Sequence, residues 1–287
     1  MSTVLDLIWE PLSYGFLQRS FLVTAAAALV CALLSCWLVL MGWSLMGDAI
    51  SHAVLPGVVL AYAAGLPFVV GALCAALAAV SLIGWVRRSG RIREDSAIGI
   101  VFTSLFALGL ILVSAIPSHL DLNSILFGSV LGVSQQDLTQ IVGLAALVVF
   151  VLLLKRKDLI LYAFDPAYAQ ASGLRPTLLG ALLLVLLAIT TVVSLQIVGV
   201  VLVVAMLVIP GATARMLTNS FNRMLVLACL VCLGGSLAGL YVSYYLDISA
   251  GGSVVALQGL IFFAVYLLAP GCGVLSSLRR FYRQKAR

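Results

Sequence analysis

The sequence predicts an all-α protein, a polytopic transmembrane helical bundle of eight or nine spans. Of its 287 residues, 63% are hydrophobic and 9% charged, with a mean hydropathy of +1.22. Apolar runs of about 18 residues or more recur along the chain, the length needed to cross the hydrocarbon core of a bilayer. The few charges gather between those runs. A soluble domain of this size needs far more charge to cover its surface, and a β-barrel would alternate apolar and polar residues. No polar stretch is long enough to fold alone, so residues 1–287 read as a single transmembrane domain.

The spans fall at about 20–41, 45–64, 67–86, 97–116, 138–154, 177–194, 195–210, 224–244 and 253–269. The first twenty residues contain Asp6, Glu10 and Pro11 and do not read as a cleavable leader. Basic residues form four groups: Arg87, Arg88, Arg91 and Arg93; Lys155, Arg156 and Lys157 with Arg175; Arg215 and Arg223; and a C-terminal tail of Arg279, Arg280, Arg283, Lys285 and Arg287. The positive-inside rule places all four in the cytoplasm. Nine spans satisfy this at once, with the C-terminus inside and Arg19 the one basic residue outside. If the hairpin 177–210 does not cross twice, the count falls to eight or fewer and the N-terminal half inverts. The net charge of +6 is thereby explained by topology, without a nucleic-acid partner.

Between the fourth and fifth spans, Leu122–Val133 is apolar but too short to cross, and reads as a short helix at the outer rim. The spacings Gly128/Gly132 and Gly235/Gly239 suit close helix packing. Cys31, Cys36, Cys74, Cys229, Cys232 and Cys272 all lie in apolar segments, where cysteine acts as a small hydrophobe. Cys229 and Cys232 make a C-x-x-C with no second Cys or His pair beside it.

Charges inside the spans are rarer and more informative. Asp48 and His52 are spaced i, i+4 and so share one helix face. An ionisable group within the membrane costs several kcal/mol unless compensated, which makes it a functional candidate. Two structural readings are open: a local Asp–His hydrogen bond, or Asp48 as the cap of the second span. The functional reading is a metal site, since carboxylate oxygen and imidazole nitrogen suit Mn²⁺, Fe²⁺ or Zn²⁺. Two ligands are too few for a tight site, and two copies meeting across a dimer axis would supply four. Pro56-Gly57 follows one turn later, as either a simple kink or the discontinuity often found around transporter ion sites. His119 and Asp121 lie in the outer stretch, as a possible external metal entry or as solvated loop residues. A catalytic set is missing: Ser51 neighbours His52, but adjacent helix positions point about 100° apart.

The segment 155–176 contains one further signal. Asp165-Pro166 starts a helix, with proline at its first position, and Gly173 stops it. A helix of about seven residues is too short to be stable alone, so it packs on a cytoplasmic partner or lies on the membrane.

Met46-Gly-Asp-Ala-Ile-Ser-His-Ala-Val-Leu-Pro-Gly57 resembles the signature of the zinc/manganese/iron permease family of ABC importers. Arg93-Glu-Asp-Ser-Ala-Ile-Gly-Ile-Val-Phe-Thr103, Ile125-Leu-Phe-Gly128 and Ile209-Pro-Gly-Ala-Thr-Ala214 resemble further family blocks, in the same order and over nearly the whole chain. Asp165-Pro-Ala-Tyr-Ala-Gln-Ala-Ser-Gly173 is similar to the family's coupling helix. The resemblance implies an ABC importer permease of the bacterial inner membrane, moving manganese, iron or zinc, with blocks closer to the manganese and iron members. It implies a second permease subunit, identical or not, two cytoplasmic ATP-binding subunits and an extracytoplasmic metal-binding protein. It also implies that Asp48 and His52 line the path, and that Asp165, Pro166, Ala169, Ala171 and Gly173 belong to the ATPase-coupling segment. No cofactor is held permanently; the metal is cargo. The chain has no G-x-x-x-x-G-K-[ST] loop, so it is expected not to be an enzyme and ATP chemistry falls to a partner. The alternative is a secondary transporter or channel working without an ATPase.

Overall fold

The computed structural model describes residues 13–88, 94–115 and 135–269, and all regular structure among them is helical. The elements are α1 (Gly15–Met41), α2 (Met46–Ala53), α3 (Leu55–Ala63), α4 (Phe68–Arg88), α5 (Glu94–Ala115), α6 (Gln135–Leu154), α7 (Arg156–Phe164), α8 (Pro166–Ala171), α9 (Pro176–Val198), α10 (Val200–Leu217), α11 (Phe221–Leu246) and α12 (Ala250–Leu268). Among the described residues eight spans are long and apolar enough to cross a membrane, counting α2 and α3 together, and the bent pair α6–α7 makes a ninth if it is one span. The eight-or-nine-span bundle therefore stands.

Helix α1 runs through the core of the bundle. Its residues Val23, Ala28, Cys31, Ala32, Cys36 and Trp37 are buried, and it packs against α6, α10 and α11. Small residues set the closest approaches. Gly211 of α10 faces the Ser35 backbone of α1, and Gly239 of α11 faces Val254 of α12. Gly57 on α3 and Gly71 on α4 meet backbone to backbone, with Ala61 and Ala75 one turn along on each helix. Gly235 and Gly239 thus serve the packing role their spacing suggests. Gly128 and Gly132 lie outside the described residues. The Gly57–Gly71 contact joins glycines on two different helices, which no spacing within one helix can show.

Two boundaries differ from the sequence reading. The hairpin at 177–210 is two full helices, but the break lies at Gly199, whose φ of +78° suits glycine, and α10 continues through Pro210 to Leu217. The uniformly apolar run across 195–209 marks no boundary by itself. Residues 156–164, read as loop, form helix α7, bent 67° from α6 at Lys155 and anchored by fully buried Leu159. Arg156 donates to Asn222 at the start of α11, tying two of the basic loops to the same end of the bundle.

The close α3–α4 contact yields a direct test. Gly71→Leu forces a side chain into the Gly57 carbonyl and is expected to lower stability by about 1–3 kcal/mol or more. Gly84→Ala on the same helix enters open space and is expected to leave the midpoint level or raise it slightly. Thermal unfolding of the two variants in detergent checks this.

Candidate functional site

The site begins with a turn. Gly42, at φ +72°, ends α1, with the Gly42 N–H on the Val39 carbonyl at 3.4 Å and the Trp43 N–H on the Leu38 carbonyl at 2.8 Å. This Schellman arrangement reverses the chain within four residues and starts α2 at Met46. Met46, Ala49, Ile50 and Ala53 form the buried face of α2, and Gly47 lets it approach Leu207 of α10. Asp48 and His52 occupy the opposite, half-exposed face.

The two side chains do meet: His52 Nε2 lies 3.4 Å from Asp48 Oδ1. That is longer than a strong hydrogen bond. It falls within the roughly 3.0–3.5 Å separating two ligands of one ion, given metal–ligand bonds of about 2.0–2.2 Å. Asp48 sits in the first turn of α2, where a carboxylate is favoured by the positive end of the helix dipole, and His52 sits in the last. The N-cap position is Leu45, so Asp48 is not a cap, and one structural alternative is removed. Ser51 is buried, and its hydroxyl donates to the Asp48 carbonyl at 2.8 Å; it is engaged locally and forms no Ser–His pair.

The imidazole is held from the far side by α5. Phe106 meets it edge-on at 5.2 Å and Phe102 at 5.7 Å between ring centroids. These rings were not singled out by sequence reasoning, although their i, i+4 spacing was a usable signal. Beyond His52, Pro56 has no N–H to offer the His52 carbonyl, and the helix breaks into α2 and α3 at Val54. The Pro-Gly pair therefore has two jobs: Pro56 makes the break and Gly57 admits α4. Among the described residues no third Asp, Glu, His or Cys joins the pair. The side chains retain 36% exposure at Asp48 and 24% at His52, which leaves them open to a further ligand.

The second candidate segment is well formed. Asp165 Oδ1 accepts the Tyr168 N–H at 2.9 Å, and Pro166 occupies the first turn. Gly173, at φ +83°, closes the helix, with the Gly173 N–H on Gln170 and the Leu174 N–H on Ala169, both at 3.0 Å. The helix is six residues, near the length the sequence suggests. Only Ala169 is buried. Ala171 is exposed, and Phe164 and Tyr168 present large exposed rings. His119 and Asp121 lie outside the described residues. Cys232 is buried and contacts Gln258 of α12 through the amide nitrogen at 3.7 Å, and the five described cysteines are free.

Comparison with known proteins agrees with this architecture. Residues 13–269 match the model of the ABC 3 transport family. The manganese transport system membrane protein MntB of Synechocystis is 48% identical, covering 93% of this chain and 87% of that one. The chelated iron transport system membrane protein YfeD of Yersinia pestis is 47% identical, covering 93% and 90%. The solved structure of PsaBC from Streptococcus pneumoniae in complex with Fab superposes with a TM-score of 0.84 at 36% identity, covering 93% of this chain and 96% of that one. The chain belongs to the ABC 3 transport family.

Proposed function

We propose that this chain is the membrane-spanning permease subunit of an ATP-driven importer for a divalent transition metal, with manganese and iron ahead of zinc. One observation carries the reading: a carboxylate and an imidazole stand at ligand–ligand separation on the half-exposed face of a short inner helix. The membrane proteins of manganese and iron transport systems named above support the choice of cargo.

Asp48 supplies a hard oxygen and His52 a nitrogen, a set that suits Mn²⁺ and Fe²⁺ and also accepts Zn²⁺. A site of two ligands holds weakly, which suits an ion that must be released. A second permease subunit facing this one would supply another pair and complete four ligands. Phe102 and Phe106 of α5 limit the swing of the imidazole. An extracytoplasmic binding protein would deliver the ion, with His119 and Asp121 as entry residues. Cytoplasmic ATP-binding subunits would seat on α8. A six-residue helix with one buried side chain and two exposed aromatics nearby is suited to docking rather than to packing within its own chain. By the positive-inside rule the basic loops support a cytoplasmic side for α8 and the C-terminus.

Three outcomes test this reading. Asp48→Ala and His52→Ala are each expected to cut radiolabelled manganese and iron accumulation by about tenfold or more, as expected when one ligand of a weak site is lost, while the chain still inserts. Normal uptake by both variants would refute the role. Gly173→Val strains the positive-φ stop of α8 and is expected to weaken co-purification of an ATP-binding subunit. A chain that transports metal with no ATPase attached would instead be a secondary transporter or channel. A C-terminal fluorescent fusion is expected to glow and a C-terminal alkaline phosphatase fusion to stay silent, because the C-terminus is cytoplasmic.

A further inference from the structure

A cleft of about 720 Å³ opens between α4 and α9, apart from the Asp48–His52 pair. It follows the two helices for about two turns, from Leu77 to Trp85 on α4 and from Thr177 to Val185 on α9, or about 12 Å at 1.5 Å per residue. The two ends differ in chemistry. Trp85, Tyr162 and Thr177 line the end next to the basic loops, and Leu77, Leu184 and Val185 line the inner end. Trp85 is 73% exposed. Arg175 sits exposed at the first residue before α9, and the sequence of α4 runs on from Trp85 to Arg87 and Arg88 at the same end. Small residues hold the cleft open. Gly84 faces empty space, in contrast to the tight Gly57–Gly71 contact, so its lack of a side chain serves no packing among the described residues.

A slot with aromatics at its mouth, an exposed arginine one residue before α9 and aliphatic walls inside has the polarity of a phospholipid. Aromatic side chains favour the headgroup level, basic pockets between spans retain anionic headgroups, and the volume is within the range of ligand sites. We infer that this cleft binds one anionic phospholipid, its phosphate beside Arg175 and Trp85 and an acyl chain along Leu77 and Leu184. The inference needs the membrane placement of the chain but not its metal cargo, so it can fail while metal import stands.

Native mass spectrometry of the full-length chain in detergent, titrated with dioleoyl-phosphatidylglycerol or dioleoyl-phosphatidylcholine, tests it. The expected result is a one-to-one phosphatidylglycerol adduct that forms in preference to the phosphatidylcholine adduct. Arg175→Gln is expected to weaken it about fivefold. The double change Gly84→Leu with Ala181→Leu is expected to abolish it while the lipid-free thermal midpoint holds. Equal binding of both lipids, or phosphatidylglycerol binding that survives both variants, overturns the proposal. So does a filled cleft that displaces a protein subunit and leaves the lipid adduct intact, because the occupant is then protein.

Discussion

Inside hydrocarbon no water can pair a stray amide, so every spanning segment must close its own ladder of backbone hydrogen bonds. The side chains obey the same constraint. Ser20 donates to the Phe16 carbonyl, Ser35 to Ala32 and Thr213 to Ile209, all at 2.7–2.9 Å. Buried hydroxyls on Thr24, Thr190 and Thr191 are exceptions, with no hydrogen-bond partner among the described residues. Once backbone polarity is satisfied locally, nothing apolar draws one span to another, and association depends on shape and small residues. The glycine contacts at Gly57–Gly71, Gly211 and Gly239 supply it.

The places where the ladder is interrupted are the places where the chemistry gathers. Gly42 turns the chain so that α2 begins beside the core. Pro56 ends α2 one turn after His52. Gly199 separates α9 from α10, whose Leu207 packs against Gly47 under the Asp48–His52 pair. The bend at Lys155 carries α7 and α8 out of line with α6. In each case a residue with special backbone freedom or a missing donor allows a break that an ordinary residue would resist.

In the proposed function the Asp48–His52 pair is half of a binding site. Its geometry is prepared by the helix register, the dipole of α2 and the two phenylalanine rings of α5. Its ligand count is incomplete among the described residues. Under that proposal the remaining exposure leaves room for completion by a second subunit or by the arriving ion's own water, and weak retention would follow from either.

Much of this was legible in the sequence, for a physical reason. Membrane length, helix periodicity and the exclusion of charge from hydrocarbon are local rules, so the spans, the i, i+4 pairing of Asp48 with His52, and the Asp165 and Gly173 stops of α8 could be read residue by residue. What sequence could not supply was contact between segments distant in the chain. The approach of Phe102 and Phe106 to His52, the Gly57–Gly71 seat and the α4–α9 cleft depend on how apolar surfaces fit together, and many fits are compatible with one hydropathy pattern. Helix α7 and the break at Gly199 were missed because a uniformly apolar run, or a short helix without an amphipathic pattern, does not mark its own ends. Sequence by itself determined that the chain is helical, membrane-spanning and equipped with an Asp–His face. Tertiary structure decided the rest, because side-chain fit between helices, unlike backbone pairing within one, is not a local property.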